Sequence, residues 1–238
     1  MTTRLQLGDI EADVVFKKIK NIHLSVYPPA GRVRIAAPAR MSLERVRIFA
    51  ISKLAWIKKQ QKRIQDQPRE SPREFLDRES HFVWGKRYLL ECVESYQAAC
   101  VELSHSRMVL KVRPGTNIAK RRAIADAWYR DLVKQALPGL IAKWEPLMKV
   151  KVKRFYVRRM KTRWGSCTPT RHSIRLNTDL AKKPPECLEY VVVHEMVHLL
   201  EPSHNKRFKA LMDHFMPNWK QFQEKLNTLP VRHEDWEL

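Results

Sequence analysis

The stretch Leu-Glu-Tyr-Val-Val-Val-His-Glu-Met-Val-His-Leu-Leu, residues 188–200, constrains this chain more than any other. Apart from Glu189 and the His194-Glu195-x-x-His198 group it is apolar on every side, so as a helix it has no face to turn to water and must be buried. Pro184-Pro185 suits the first turn of that helix, and Glu186 and Glu189 suit its positive end. Enclosing two imidazoles and a carboxylate without partners costs about 1–3 kcal/mol for each neutral group and more for a charge. A bound metal ion removes that cost; the alternative is a pair of hydrogen-bonded core histidines.

His194 and His198 lie four residues apart, which stacks them one turn apart on one helix face and lets both aim at a single ion. Glu195 sits about 100° further around, able to reach a water on the metal without becoming a ligand. It is the candidate general base. Pro202 should stop the helix, and Ser203 can cap a second one that starts at His204, carries Phe208, Leu211, Met212 and Phe215, and ends at Pro217. A third short helix follows around Trp219, Phe222 and Leu226. His204 is thus the expected third metal ligand, with Glu201 and Asp213 as carboxylate alternatives; His172 and His214 are placed by no such stop and cap. Three nitrogen ligands leave the fourth position of Zn2+ to water, whose pKa falls to about 7 in such sites. Manganese, cobalt, nickel and iron accept the same donors.

Upstream, His23–Tyr27 and Val33–Ala36 alternate around Pro28-Pro-Ala-Gly31 and predict an antiparallel hairpin. Ser42 can cap an amphipathic helix through Leu43, Val46, Phe49, Ala50, Leu54 and Ile57. Residues 65–72, with two prolines, are the best linker. Three β-rich runs between Phe82 and Val112 predict a small meander. Residues 118–147 have helical spacing that Pro138 either kinks or divides. Residues 150–157 and 173–177 predict a strand pair that brackets the turn-rich Arg163-Trp-Gly-Ser-Cys-Thr-Pro169.

A length of 238 residues with 44% hydrophobic content is enough for a packed core. No run approaches the roughly 18 apolar residues of a membrane span, and the first residues do not look like a secretory leader. Cys92, Cys100, Cys167 and Cys187 form no CxxC pair, so a reducing, cytoplasmic setting is expected. The net charge of +21 favours anionic partners, although a basic surface can also serve solubility alone. Residues 149–183 hold 12 Lys and Arg against the single acid Asp179. If 150–157 is a strand, that charge lines a sheet edge where an extended peptide, nucleic acid or another polyanion could dock.

Trp84-Gly-Lys-Arg-Tyr88, Arg163-Trp-Gly-Ser-Cys167 and His194-Glu-Met-Val-His-Leu-Leu-Glu-Pro-Ser-His204, in this order, make the chain resemble the YgjP-like metallopeptidase family from about residue 20 to 229. That family is similar to the SprT-like and WLM minimal zincins. The resemblance implies an α+β fold: a minimal zincin core of short antiparallel sheet, HExxH helix and C-terminal helices, with an N-terminal β-rich and helical subdomain. It implies zinc on His194, His198 and His204 with Glu195 as the catalytic glutamate. The expected layout is an extension over 1–19, a β-rich subdomain over 20–115, a catalytic subdomain over 116–229 and a tail over 230–238. Glu201 stands where metzincins have glycine, which disfavours a true metzincin.

The leading expectation is a zinc metallopeptidase acting on peptide or protein, in the neighbourhood of nucleic acid, with Arg163, Trp164, Gly165 and Ser166 as substrate-binding candidates. A metal-dependent nucleotide pyrophosphatase is the second, because some family members are similar to such enzymes and Lys161, Arg163, Arg171 and Arg175 could clamp phosphates. A nucleic-acid-binding module with a structural zinc is the third, although no fourth protein ligand is evident.

Overall fold

The computed structural model describes residues 2–27, 30–66, 68, 70 and 73–230. Two compact units are present, Met1–Glu70 with Pro230–Leu238 and Ser71–Leu229. The division falls inside the proline-containing segment read as a linker. The expected boundary at 115/116 instead lies within the second unit, and the expected tail beyond Pro230 lies outside the described residues.

The first unit is a four-stranded sheet, β1 (Thr2–Leu7), β2 (Ile10–Lys17), β3 (His23–Tyr27) and β4 (Arg32–Pro38), in the order β1-β2-β4-β3. Alternate residues Leu5 and Leu7, Ile10, Ala12 and Val14, and Val33, Ile35 and Ala37 are buried. They pack with Val46, Ala50 and Ile57 of α1 (Leu43–Ser52) and α2 (Leu54–Asp66). The hairpin expected between β3 and β4 is present, while its turn residues Pro28 and Pro29 lie outside the described set. Within the expected extension over 1–19, residues 2–7 and 10–17 form two of the four strands. The single helix expected after Ser42 is two: Ser52 Oγ donates to the Phe49 carbonyl, and the Lys53 N–H closes a tight turn on Ala50.

The second unit opens with β5 (Ser80–Val83), β6 (Lys86–Glu94), β7 (Cys100–Ser104) and β8 (Arg107–Val112), ordered β5-β6-β8-β7. A meander would pair neighbours in sequence, whereas here β6 pairs β8 in parallel, as β2 pairs β4 in the first unit. Both sheets then lead into a capped helix, with Ser42 accepting from the Arg45 N–H and Asn117 from that of Lys120. Helix α3 (Ile118–Met148) is continuous through Pro138 and Pro146, so the division offered as an alternative does not occur. Its buried stripe runs from Ala125 through Tyr129, Val133, Leu137, Ile141 and Trp144 to Met148.

A second, three-stranded sheet follows: β9 (Arg154–Arg158), β10 (Gly165–Thr168) and β11 (Ser173–Asn177), ordered β10-β11-β9. β9 and β11 are the expected pair, parallel to each other, but Gly165–Thr168 is an edge strand rather than a turn. A 3-10 segment, Thr178–Lys182, leads to α4 (Pro185–Val197), α5 (Lys206–Phe215) and α6 (Trp219–Thr228). Lys182 and Lys183, counted above with the basic surface, are buried: Lys182 Nζ lies 3.4 Å from Asp179 and 5.6 Å from the Tyr129 ring centroid.

Helix α4 is tied down through its N-terminal turns. Glu189 accepts from Lys143 Nζ and Trp144 Nε1 of α3, and Glu186 pairs with Lys225 of α6 at 2.6 Å. At its start stands the Trp84-Gly85 hairpin tip, with φ of 49° and 78° at the two residues, which is the geometry of a tight two-residue turn. The Trp84 N–H donates to the Ala181 carbonyl, and a Cβ on Gly85 would stand 2.8 Å from Pro184 Cγ. Gly85→Ala should therefore destabilise the unit by about 1 kcal/mol for its backbone strain and about 1–3 kcal/mol more for the clash. Gly115→Ala, at φ 72° with open space around it, should show only the first cost. Thermal unfolding of the two variants checks the difference.

Candidate metal centre

Three imidazoles converge on one point in the second unit. His204 Nε2 lies 3.0 Å from His194 Nε2 and 3.1 Å from His198 Nε2, and one ligand atom from each falls within 4.8 Å of the others. An ion about 2.05 Å from each nitrogen in tetrahedral geometry spaces the donors by roughly 3.3 Å. The observed spacings are close to that value and the three side chains offer nitrogen donors to one point, so the residues fit zinc.

His194 stands in the last turn of α4 and His198 immediately follows it. The chain then tightens through Leu199 and Leu200, and the Glu201 carbonyl comes within 3.1 Å of His198 Nδ1. A carbonyl only accepts, so His198 carries its proton on Nδ1 and turns the Nε2 lone pair toward the other two histidines. His204 lies in the loop before α5, and the helix cap is Asn205, which accepts from the Phe208 N–H; the expected cap at Ser203 is displaced by two residues. Ser203 instead donates from its N–H and hydroxyl to Glu201 Oε1 and accepts from Asn205 Nδ2. This short network fixes the loop that returns His204. It also occupies the Glu201 carboxylate, whose pKa the Ser203 contacts lower.

The Phe208 ring packs against all three imidazoles, with centroids 4.7–5.0 Å away. Burial, helped by the neighbouring histidines, drives His194 down to about 3, and burial lowers His198 as well. Both remain neutral and ligand-competent at neutral pH. His194 Nδ1 is buried with no hydrogen-bond partner among the described residues. Of the other candidates, Asp213 accepts from Trp219 Nε1, His172 Nδ1 contacts the Lys151 carbonyl, and His214 meets the Phe215 ring edge to face; none joins the cluster.

Glu195 is only 5% exposed, and burial raises its carboxyl to about 8 against an opposing pull from Arg163. It lies hard against β10: a Cβ on Gly165 would stand 2.5 Å from Glu195 Oε1. Glycine is required there because the side chain of α4 occupies the space. Strand alternation puts Cys167 on the same face as Gly165, and burial together with the Glu195 charge raises its thiol to about 12, so it stays protonated. Ser166 alternates to the opposite face, and Trp164 packs against the core with Lys183 Nζ 5.8 Å from its ring. Arg175 lies beside Tyr156, and Arg171 closes a separate turn.

One positioning residue escaped the sequence reasoning. Asn177, 4% exposed, donates from Nδ2 to the Met160 and Arg163 carbonyls, and its own N–H donates to the Trp164 carbonyl. It clamps the loop that brings Gly165 to Glu195. A lone Asn at a strand end gives no signal of this in the sequence.

An HExxH helix with a third histidine returned by the following loop, set beside a short sheet, is the construction of a metallopeptidase-type hydrolase. Residues 20–229 match the model of the YgjP-like, metallopeptidase domain, and the chain belongs to that family. No curated protein matches the chain. Among solved structures it is similar to the metallopeptidase zymogen abylysin of Pyrococcus abyssi, with 16% identity, 37% of this chain and 90% of that chain covered, and a TM-score of 0.35. It is also similar to the metallopeptidase zymogen jannalysin of Methanocaldococcus jannaschii, with 19% identity, coverage of 41% and 92%, and a TM-score of 0.30. Family membership, not these slight likenesses, carries the assignment.

Two predictions follow from this geometry. His204→Ala should weaken zinc binding by about 100-fold or more, whereas Glu201→Gln, which keeps the carbonyl on His198, should cost about tenfold at most; titration against a competing chelator measures both. In the metal-free protein, Glu195 held near 8 rather than 4.5 keeps a proton that the unfolded chain loses, so stability falls as pH rises between those values. His194, held near 3 rather than 6.5, acts in the opposite sense only below 6.5. Metal-free wild type should therefore melt lower at pH 8 than at pH 6.5, and Glu195→Gln should lose most of that difference.

Proposed function

We propose that this chain is a zinc-dependent peptidase in which His194, His198 and His204 hold the ion and Glu195 is the general base. The observation that carries this reading is the convergence of the three Nε2 atoms at 3.0–3.1 Å, next to a carboxylate on the same helix. When bound, zinc would supply Lewis-acid activation of a water and of the scissile carbonyl.

The protein's own groups do the rest. Glu195 takes the proton of the attacking water and delivers it to the departing amine. Its raised affinity for a proton suits that shuttle, because a carboxylate buried beside Gly165 is a stronger base than one in water. Arg163 opposes the rise that burial causes. β10 ends its sheet, so an extended peptide can add to that edge by main-chain hydrogen bonds and run past Glu195. Phe208 and the Glu201–Ser203–Asn205 network hold the three imidazoles in place before substrate arrives.

Zinc-loaded Glu195→Gln should keep its metal and lose about 100-fold or more of the rate of cleaving an unfolded protein substrate. Gly165→Ala should also keep the metal and lose activity, because the new methyl displaces the carboxylate. Cleavage by Glu195→Gln at the wild-type rate would overturn the assignment.

A further inference from the structure

The three-stranded sheet has two edges, and the metal centre uses only one. β10 meets Glu195; β9 lies on the far edge, about 10 Å away across two strand spacings. Beside β9 is an open depression of about 390 Å³, lined by Arg130 and Lys134 of α3 and by Tyr156, Arg158 and Arg159. Four of its lining side chains are cationic and none is acidic. Arg130 and Arg158 meet no carboxylate among the described residues, while Lys134 lies 3.2 Å from Asp131.

The strand itself adds an aromatic surface. Arg154, Tyr156 and Arg158 alternate outward on β9 while Phe155 and Val157 turn inward. Arg175, paired in register with Tyr156 on β11, brings its guanidinium 6.0 Å from the Tyr156 centroid. The exposed Tyr156 ring therefore lies beside the Arg175 guanidinium and shares its strand face with Arg154 and Arg158. Arg130 and Lys134 stand one helical turn apart, about 6 Å, a step that successive phosphates of an extended strand can match.

We propose that the β9 edge and the adjoining face of α3 bind single-stranded nucleic acid. Guanidiniums take the phosphates, and an unpaired base stacks on Tyr156. A duplex keeps its base faces covered and an acidic polypeptide has none, so neither would use the ring. The site is separate from the metal centre, and bound nucleic acid would hold protein attached to it within about a nanometre of Glu195.

The test is fluorescence anisotropy of a labelled oligothymidine of about 16 nucleotides with the full, metal-loaded chain. Arg130→Glu with Arg158→Glu should weaken binding about tenfold or more, whereas Lys59→Glu with Lys62→Glu, an equal charge change on exposed positions of α2, should weaken it less than about threefold. Tyr156→Ala should weaken single-strand binding about fivefold or more and leave duplex binding unchanged. If Arg130→Glu unfolds the chain, as a melting curve will show, Arg154→Glu with Arg158→Glu makes the same comparison. Equal loss in the α2 control, competition by polyglutamate as strong as by oligothymidine, or no binding by wild type at about 0.1 M salt would each overturn the proposal.

Discussion

The second unit is arranged around a helix that is buried over most of its surface yet carries ionisable groups. Cys187, Leu188, Val191, Val192, Val193, Met196 and Val197 of α4 are buried, and so is Glu195. Such a helix needs cover on all sides, and α3, α5, α6 and the β10-β11-β9 sheet supply it. The same enclosure that keeps His194 and His198 neutral also raises the proton affinity of Glu195. Fold stability and site chemistry are thus two consequences of one burial.

Precision at the site comes from small residues and short polar clamps rather than from bulk packing. Gly165 admits the Glu195 carboxylate, Gly85 admits Pro184 at the head of the helix, and Asn177 fixes the loop between β9 and β10. The Glu201 carbonyl fixes the tautomer of His198. The Trp-Gly pairs at 84–85 and 164–165 have a common logic: each glycine lets a backbone lie against α4 or the proline that precedes it, while each tryptophan packs against the core.

Much of this was legible beforehand. The spacing of His194, Glu195 and His198 on an apolar helix, the stop at Pro202 and the downstream histidine led to the cluster that the fold assembles. Legibility failed wherever the deciding contact was remote in sequence. Local alternation marked strands in 82–112 but could not show that β6 pairs β8 in parallel, since period-two patterning names a buried face and not a partner. Gly165–Thr168 looked like a turn because its strand character comes from pairing with β11. Lys182 and Lys183 counted as surface charge until their environment was known.

The sequence by itself determined the buried helix, the shared face of His194 and His198 and the carboxylate of Glu195 beside them, because helical periodicity converts a spacing of four residues into a shared face. Tertiary structure alone decided which residues serve those groups. Asn205 rather than Ser203 caps α5, Glu201 contributes a carbonyl and a loop brace, and the basic segment divides between buried lysines and the arginines of the β9 edge. Those choices depend on where distant backbone segments meet, and chain sterics and close packing fix that only once the whole core has formed.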